Sequence, residues 1–379
     1  MALISPEQKF ALWSILLLSS AYGLWIEKTR WGTKISGVVV TILATFTLSN
    51  LKVIPDQAST YNVVWNYLVP LAIPLLLFRA DLWRIWQETG STLIAYLLGL
   101  FGTIVGTVLA YYLIPLGESG RQLAGTFCAA YIGGSVNFAA TAKTLELRSG
   151  DLLSAGAAVN NLVIAGYLIL LFSLPSITWI QKIFATQDYE PKSSKKRVNF
   201  FDFENKEELK ILDMSLSLAI SGIACTLGYG FANWWGYPQA GIVGTTITMV
   251  IFATIFPHDL QNIVSAEQIG MFFMRIFFAT IGASANIEVV FRVAPILFIF
   301  AAMIVLVHLL VLLIIGKIFN FNLAELIIAS NANLGGSTTA AAMAAARKWD
   351  NLVTPGMLCG ILGYAVATVI GVGLAQVLP

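Results

Sequence analysis

Apolar runs about as long as a bilayer is thick alternate with short polar connections along almost the whole chain. Twelve such stretches cover 10–26, 35–51, 63–78, 92–114, 123–145, 152–174, 211–232, 241–256, 269–285, 295–318, 323–346 and 352–378. A helix needs roughly 20 apolar residues to cross the hydrocarbon layer. The pattern therefore predicts an all-α polytopic membrane protein. One long polar stretch interrupts it. Residues 181–210 carry Lys192-Ser193-Ser194-Lys195-Lys196-Arg197 and then Glu204, Glu207 and Glu208. This linker divides a first transmembrane repeat, 1–180, from a second, 211–379, with six apolar segments in each.

Two of the stretches are broken in the same way. The first break reads Tyr131-Ile132-Gly133-Gly134-Ser135-Val136-Asn137-Phe138-Ala139-Ala140-Thr141, and the second reads Asn333-Leu334-Gly335-Gly336-Ser337-Thr338-Thr339-Ala340. Paired glycines followed by a hydroxyl weaken a helix and free its backbone groups. In lipid such a break survives only where it is buried in protein or lines a cavity. The clusters lie 202 residues apart, Arg79 aligns with Ser284 at 205, and Gly156 aligns with Gly356 at 200. This order and spacing predict an internal duplication. One glycine pair alone would be explained by close helix packing. Two aligned pairs with polar neighbours point to a binding site of the kind that discontinuous helices build in transporters.

Charge counting bears on topology. If all twelve segments cross, the lysines and arginines divide almost evenly, 11 against 10. If segments 5 and 11 instead enter and leave on one side as re-entrant hairpins, the division becomes 15 against 6, with the linker on the positive side. The second arrangement obeys the positive-inside rule. It leaves five crossings per half, so the repeats would be inverted, with both termini outside the cytoplasm. A broken crossing helix remains open for either cluster.

Composition narrows the chemistry. Hydrophobic residues make up 58% of the chain and charged residues 11%, and the mean hydropathy is +0.80, which excludes an ordinary soluble domain. No basic aromatic surface suggests nucleic acid. Two histidines and three scattered cysteines make no catalytic or metal constellation, so neither an enzyme nor a cofactor is expected. Every aspartate and glutamate falls near a segment end or in a loop, whereas proton carriers generally need a titratable group at mid-membrane. His308, alone in an apolar run, reads as a structural hydrogen-bonding residue. Arg275, within Met271–Phe278, reads as snorkelling, paired or meeting an anion. The tryptophans Trp25, Trp31, Trp65, Trp83, Trp86, Trp234 and Trp235 read as an interfacial belt.

The candidate substrate site comprises Gly133, Gly134, Ser135, Asn137, Asn333, Gly335, Gly336, Ser337 and Thr338, with the mid-segment amides Asn160 and Asn161. Free N–H groups at a half-helix start suit an anionic group, and neutral oxygens suit an alkali cation. Ser135, Asn137, Thr141, Ser337 and Thr339 are the expected Na⁺ donors, with Na⁺ as a coupling ion.

The runs Ala130–Asn137, Ala155-Gly156-Ala157-Ala158-Val159-Asn160-Asn161 and Asn331–Thr338 resemble the YjcL-like family of uncharacterised integral membrane proteins, found in bacteria and plant plastids. That family is in turn similar to a wider group with inverted repeats and broken helices. The group includes sodium/glutamate, 2-hydroxycarboxylate and bile-acid symporters and the sodium/proton antiporters. Its carboxylate symporters carry Gly-Gly motifs on re-entrant hairpins. The antiporters' paired mid-membrane aspartates are missing here. The resemblance implies a multi-pass secondary transporter of a small organic solute, an organic anion or amino acid, in the bacterial inner membrane or plastid envelope. Lipid and a small-molecule substrate are the expected partners, and a homodimer is left open. A proton-coupled carrier, an exporter, or a non-transporting receptor or assembly protein are the alternatives.

Overall fold

The computed structural model describes residues 2–27, 29, 37–184 and 210–379. Trp31 and the linker's charge cluster and glutamates fall outside the described residues. Each apolar stretch is helical. The first half holds α1 (Lys9–Glu27), α2 (Gly37–Asn50), α3 (Ser59–Val63), a π turn (Val64–Leu68), α4 (Val69–Leu76), α5 (Leu82–Glu88), α6 (Ser91–Leu113), α7 (Gly120–Gly133), α8 (Ser135–Thr144), α9 (Gly150–Ser173) and α10 (Thr178–Ile183). The second holds α11 (Ile211–Trp234), α12 (Gly241–Ile255), α13 (Pro257–Gln261), α14 (Ser265–Ala283), α15 (Ile287–Ile318), α16 (Leu323–Leu334), α17 (Ser337–Ala346) and α18 (Asp350–Val377). Six of these, α1, α6, α9, α11, α15 and α18, are long and apolar enough to cross a membrane. No strand occurs among the described residues.

The third apolar stretch shows how a local sequence defect is absorbed. Pro74 has no N–H, so the carbonyl of Pro70 loses its helical donor. The facing helix α11 replaces it: Cys225 Sγ donates to Pro70 O at 3.3 Å, and Ser221 Oγ donates to Leu71 O at 2.7 Å. The π turn lies just before this point, so the rod α3–π–α4 is irregular along its length.

The helices gather into two bundles, each drawing on both halves of the chain. In one, α1 packs on α2, α11 on α12, and α14 on α2 and α4; this is the scaffold bundle. In the other, α6 packs on α15, α9 on α15, and α18 on both α7 and α17; this is the core bundle. Small residues set the crossings, because lipid supplies little hydrophobic drive between helices and contact depends on close backbone approach. The α1–α2 and α11–α12 crossings match. Gly23 abuts Thr41 and Gly228 abuts Thr245, and each threonine hydroxyl donates to the carbonyl four residues back, Gly37 or Gly241, at 2.9 Å.

Contacts between helix ends sort into two faces. On one, Leu3 N donates to Lys52 O at 2.8 Å, Asn50 Nδ2 to Ala285 O at 3.0 Å and Tyr111 OH to the terminal Pro379 O at 2.5 Å. This terminal face holds both chain ends. On the other, the linker face, Ser91 Oγ donates to Glu325 Oε1 at 2.6 Å and Arg84 Nη1 to Gln261 Oε1 at 3.2 Å. Trp25, Trp83, Trp86, Trp234 and Trp235 are exposed near helix ends, as a belt requires. Trp65 is not one of them. Its ring packs edge-on against buried Phe277 at 4.8 Å, so it belongs to the protein interior.

Candidate functional site

The two breaks have nearly the same backbone. Gly134 separates α7 from α8 at φ 80°, ψ −179°, and Gly336 separates α16 from α17 at φ 87°, ψ −173°. That region is open essentially to glycine alone. The second glycine of each pair is thus required by conformation. At Gly134 space is not the issue, since an added Cβ would find its nearest neighbour, Tyr364 Cε1, at 3.8 Å.

Beyond each break the chain doubles back. A Cβ at Gly125, early in α7, would lie 3.0 Å from Leu145 Cδ1, just past the end of α8. In the second cluster Asn331 Nδ2 of α16 reaches Thr339 O and Met343 Sδ of α17 at 3.1 and 3.4 Å. Both pairs are therefore helical hairpins. They approach α18 from opposite ends. Hairpin α7–α8 lies along its C-terminal half, with Gly125 against Gly371 and Asn137 against Thr368. Hairpin α16–α17 lies along its N-terminal half, where Ile328 and Ala340 both face Gly356.

The tips meet at the middle of α18. A Cβ at Gly363 would come 2.7 Å from Ile132 O and 3.0 Å from Gly133 Cα, and one at Gly360 would overlap the Ser337 backbone. Two glycines three residues apart lie on one helix face, so one side of α18 spans both tips. Tyr364, next along, reaches both: a Cβ at Gly134 would be 3.8 Å from its ring, and Ser337 Oγ lies 3.5 Å from its hydroxyl. Tyr96 of α6 forms a second bridge. Its hydroxyl donates to Ile132 O at 2.9 Å, and its carbonyl accepts from Asn333 Nδ2 at 3.2 Å. Tyr96, Gly360, Gly363, Tyr364 and Thr368 were not singled out in the sequence. The Gly-x-x-Gly step in α18 was a usable signal, whereas a lone tyrosine in an apolar helix is none.

The residues expected at the site fall into three groups. Gly133, Gly134, Ser135, Gly335, Gly336 and Ser337 form the tips. Asn137 and Thr339 brace them: Asn137 Nδ2 donates to Gly133 O at 2.8 Å and its Oδ1 accepts from Thr368 at 2.8 Å, while Thr339 donates to Asn331 Oδ1 at 2.7 Å. Thr338 is exposed on α17. Asn160 and Asn161 lie on α9, which packs on α7, α8 and α16, and Asn161 Nδ2 donates to Ala157 O of its own helix at 2.7 Å. The side-chain oxygens of Thr141, Asn160 and Asn333 are buried without a hydrogen-bond partner. An unmet buried acceptor costs about 1–3 kcal/mol, so such oxygens mark places able to take a donor or cation. Arg275 is buried on α14.

His308 holds the core bundle together. Gly99 O can only accept, so Nδ1, 2.8 Å away, carries the hydrogen. Neutral Nε2 then accepts from Ser330 Oγ at 2.8 Å, and Ser330 lies 2.6 Å from Tyr167 OH. One side chain thus links α6, α15, α16 and α9. Thr103 Oγ1 of α6 also lies 2.9 Å from Nδ1.

A cavity of about 1210 Å³ opens between the bundles on the terminal face. The scaffold contributes Asn50, Asn62, Trp65 and Asn66, and the core contributes Lys143 and Asp151. On the linker face the same gap is occupied by α5, which contacts both α12 and α18.

Against known families, residues 14–379 match the model described as a protein of unknown function, DUF819. The chain belongs to this family. It is 31% identical to the uncharacterised membrane protein YjcL of Bacillus subtilis (strain 168) over 388 residues, covering 98% of this chain and 97% of that protein. Family membership therefore extends over both hairpins and α18, and agrees with a multi-pass helical membrane protein.

Proposed function

We propose that the protein is a secondary active transporter, with its substrate site where the two hairpin tips meet on α18. The observation that carries this reading is the tip-to-tip meeting of two glycine-broken hairpins that approach from opposite ends of one helix. Each tip presents the start of a half-helix, whose N–H groups and dipole favour a carboxylate or similar anion. The matched crossings and the opposed hairpins support two inverted repeats, and the hairpins read as re-entrant from opposite faces. The terminal-face cavity and the occupied linker face support alternating access by movement of the core bundle against the scaffold.

Na⁺ is the favoured coupling ion, because the polar groups at the tips are neutral oxygens. Ser135, Asn137, Thr141, Ser337 and Thr339 form the donor set, with Asn137 and Thr339 exchanging a present partner for the ion. Purified protein in liposomes tests the reading. Uptake of an organic anion or amino acid should depend on an inward Na⁺ gradient. Absence of flux with Na⁺, K⁺ or proton gradients would leave a receptor or assembly role.

A further inference from the structure

The cavity wall contains a cation that the hairpin tips do not use. Lys143, near the end of α8, donates from Nζ to Asn66 Oδ1 at 2.8 Å and lies 5.8 Å from the centre of the Trp65 ring. Both partners are neutral, and none of the ion pairs among the described residues includes Lys143. The other charges of the wall are engaged or lie at the rim. Arg148 pairs with Glu146 at 3.5 Å, Asp151 accepts from the Asn286 backbone N–H, and Lys52 and Asp56 are exposed. Trp65 is held by Phe277, so the ring beside Lys143 is fixed in place. A ring face and an amide steady an ammonium without cancelling its charge. Lys143 is half-buried, so its charge is less screened and attracts an anion more strongly than it would in bulk water.

We propose that Lys143 and Asn66 form an entry site for the carboxylate of an organic anion. The carboxylate replaces Asn66 Oδ1 as the acceptor for Nζ, and the amide NH₂ of Asn66 then donates to its second oxygen. Lys143 belongs to the core bundle and Asn66 to the scaffold, so the exchange inserts the ligand into a link between them. The inference rests on the transporter reading and deepens it by naming the substrate class and the first contact.

The test is binding to detergent-purified protein at constant ionic strength, read by thermal shift. The probes are the potassium salts of lactate, malate, glutamate and 2-oxoglutarate, with potassium chloride and glucose as controls. At least one carboxylate should raise the Tm saturably. K143R should retain the effect, and K143Q should raise the half-saturating concentration at least tenfold. In wild-type protein the same anion should protect Lys143 from an amine-reactive label, read by peptide mass spectrometry, which needs no variant to fold. The proposal is overturned if no carboxylate exceeds the chloride control, if K143Q binds as tightly, or if Lys143 is labelled equally with and without ligand. Anion binding without flux would sink the transporter reading and keep the entry site. Flux of a neutral or cationic solute without anion binding would do the reverse.

Discussion

Gly134 and Gly336 are the residues whose chemistry is least replaceable, because their backbone angles, φ 80° and 87° with ψ near 180°, exclude other side chains. A substitution there stores about 1–3 kcal/mol of strain or re-aims the following half-helix. Gly134→Val and Gly336→Val should each abolish flux in liposomes while the protein remains monodisperse on gel filtration. Normal flux in both variants would return the clusters to a helix-packing role. Asn161→Ala should reduce flux far less, because its amide is spent on Ala157 of its own helix. His308 predicts the opposite pattern. Removing its imidazole takes one partner from Gly99 O and one from Ser330 and leaves a void in a fully buried place, at a cost of about 2–5 kcal/mol. His308→Ala should lower the Tm clearly, and an unchanged Tm would refute its bracing role.

At the scale of elements, the hydrophobic pattern marked every long helix to within several residues but left out the short α5, α10 and α13, since long apolar runs have no other stable form in lipid. The breaks were legible too, because Gly-Gly-Ser interrupts a helix by local chemistry alone. The path beyond the breaks was not. Whether α8 continues from α7 or folds back depends on what packs against it, and charge counting could only favour one of two arrangements. The role of α18 was hidden for a similar reason: Gly360 and Gly363 gain meaning only from the tips that press on them. Asn160 and Asn161 drew attention through their polarity; Asn161 spends its amide on its own helix, whereas Asn160 Oδ1 is buried without a hydrogen-bond partner. Glycines of α18 therefore supply an internal control. Gly363→Leu should displace the first tip, 2.7–3.0 Å from the added Cβ, lowering both Tm and flux. Gly373→Ala, where an added Cβ meets nothing within 4 Å, should be neutral or stabilising by up to about 1 kcal/mol. Equal effects of the two substitutions would argue against α18 as the element that spans both tips.

At the scale of the whole molecule, the cavity opens on the terminal face. By the positive-inside rule the linker is expected in the cytoplasm and both termini outside, so this conformation would be open to the non-cytoplasmic side. Exposed Glu118, on the terminal face, and Lys348, on the linker face, test this directly. With the native cysteines removed, Glu118→Cys should react with an impermeant maleimide on intact cells, and Lys348→Cys only after lysis. Closure of the linker face rests on α5, where Arg84 bonds Gln261 and the Leu82 N–H bonds Thr254 Oγ1 at 3.3 Å. If the bundles exchange access, a short bismaleimide joining Arg84→Cys to Gln261→Cys should hold this state. Flux should stop, while a cavity cysteine at Asn62 remains labelled from outside. Joining Lys143→Cys to Asn66→Cys, residues already bonded to each other in this conformation, should hold the same state: flux stops and the Asn62 cysteine stays labelled. A link that stops flux and also abolishes that labelling would instead report general damage. Full flux with either link complete would show that the bundles need not move, and alternating access of this kind would be wrong.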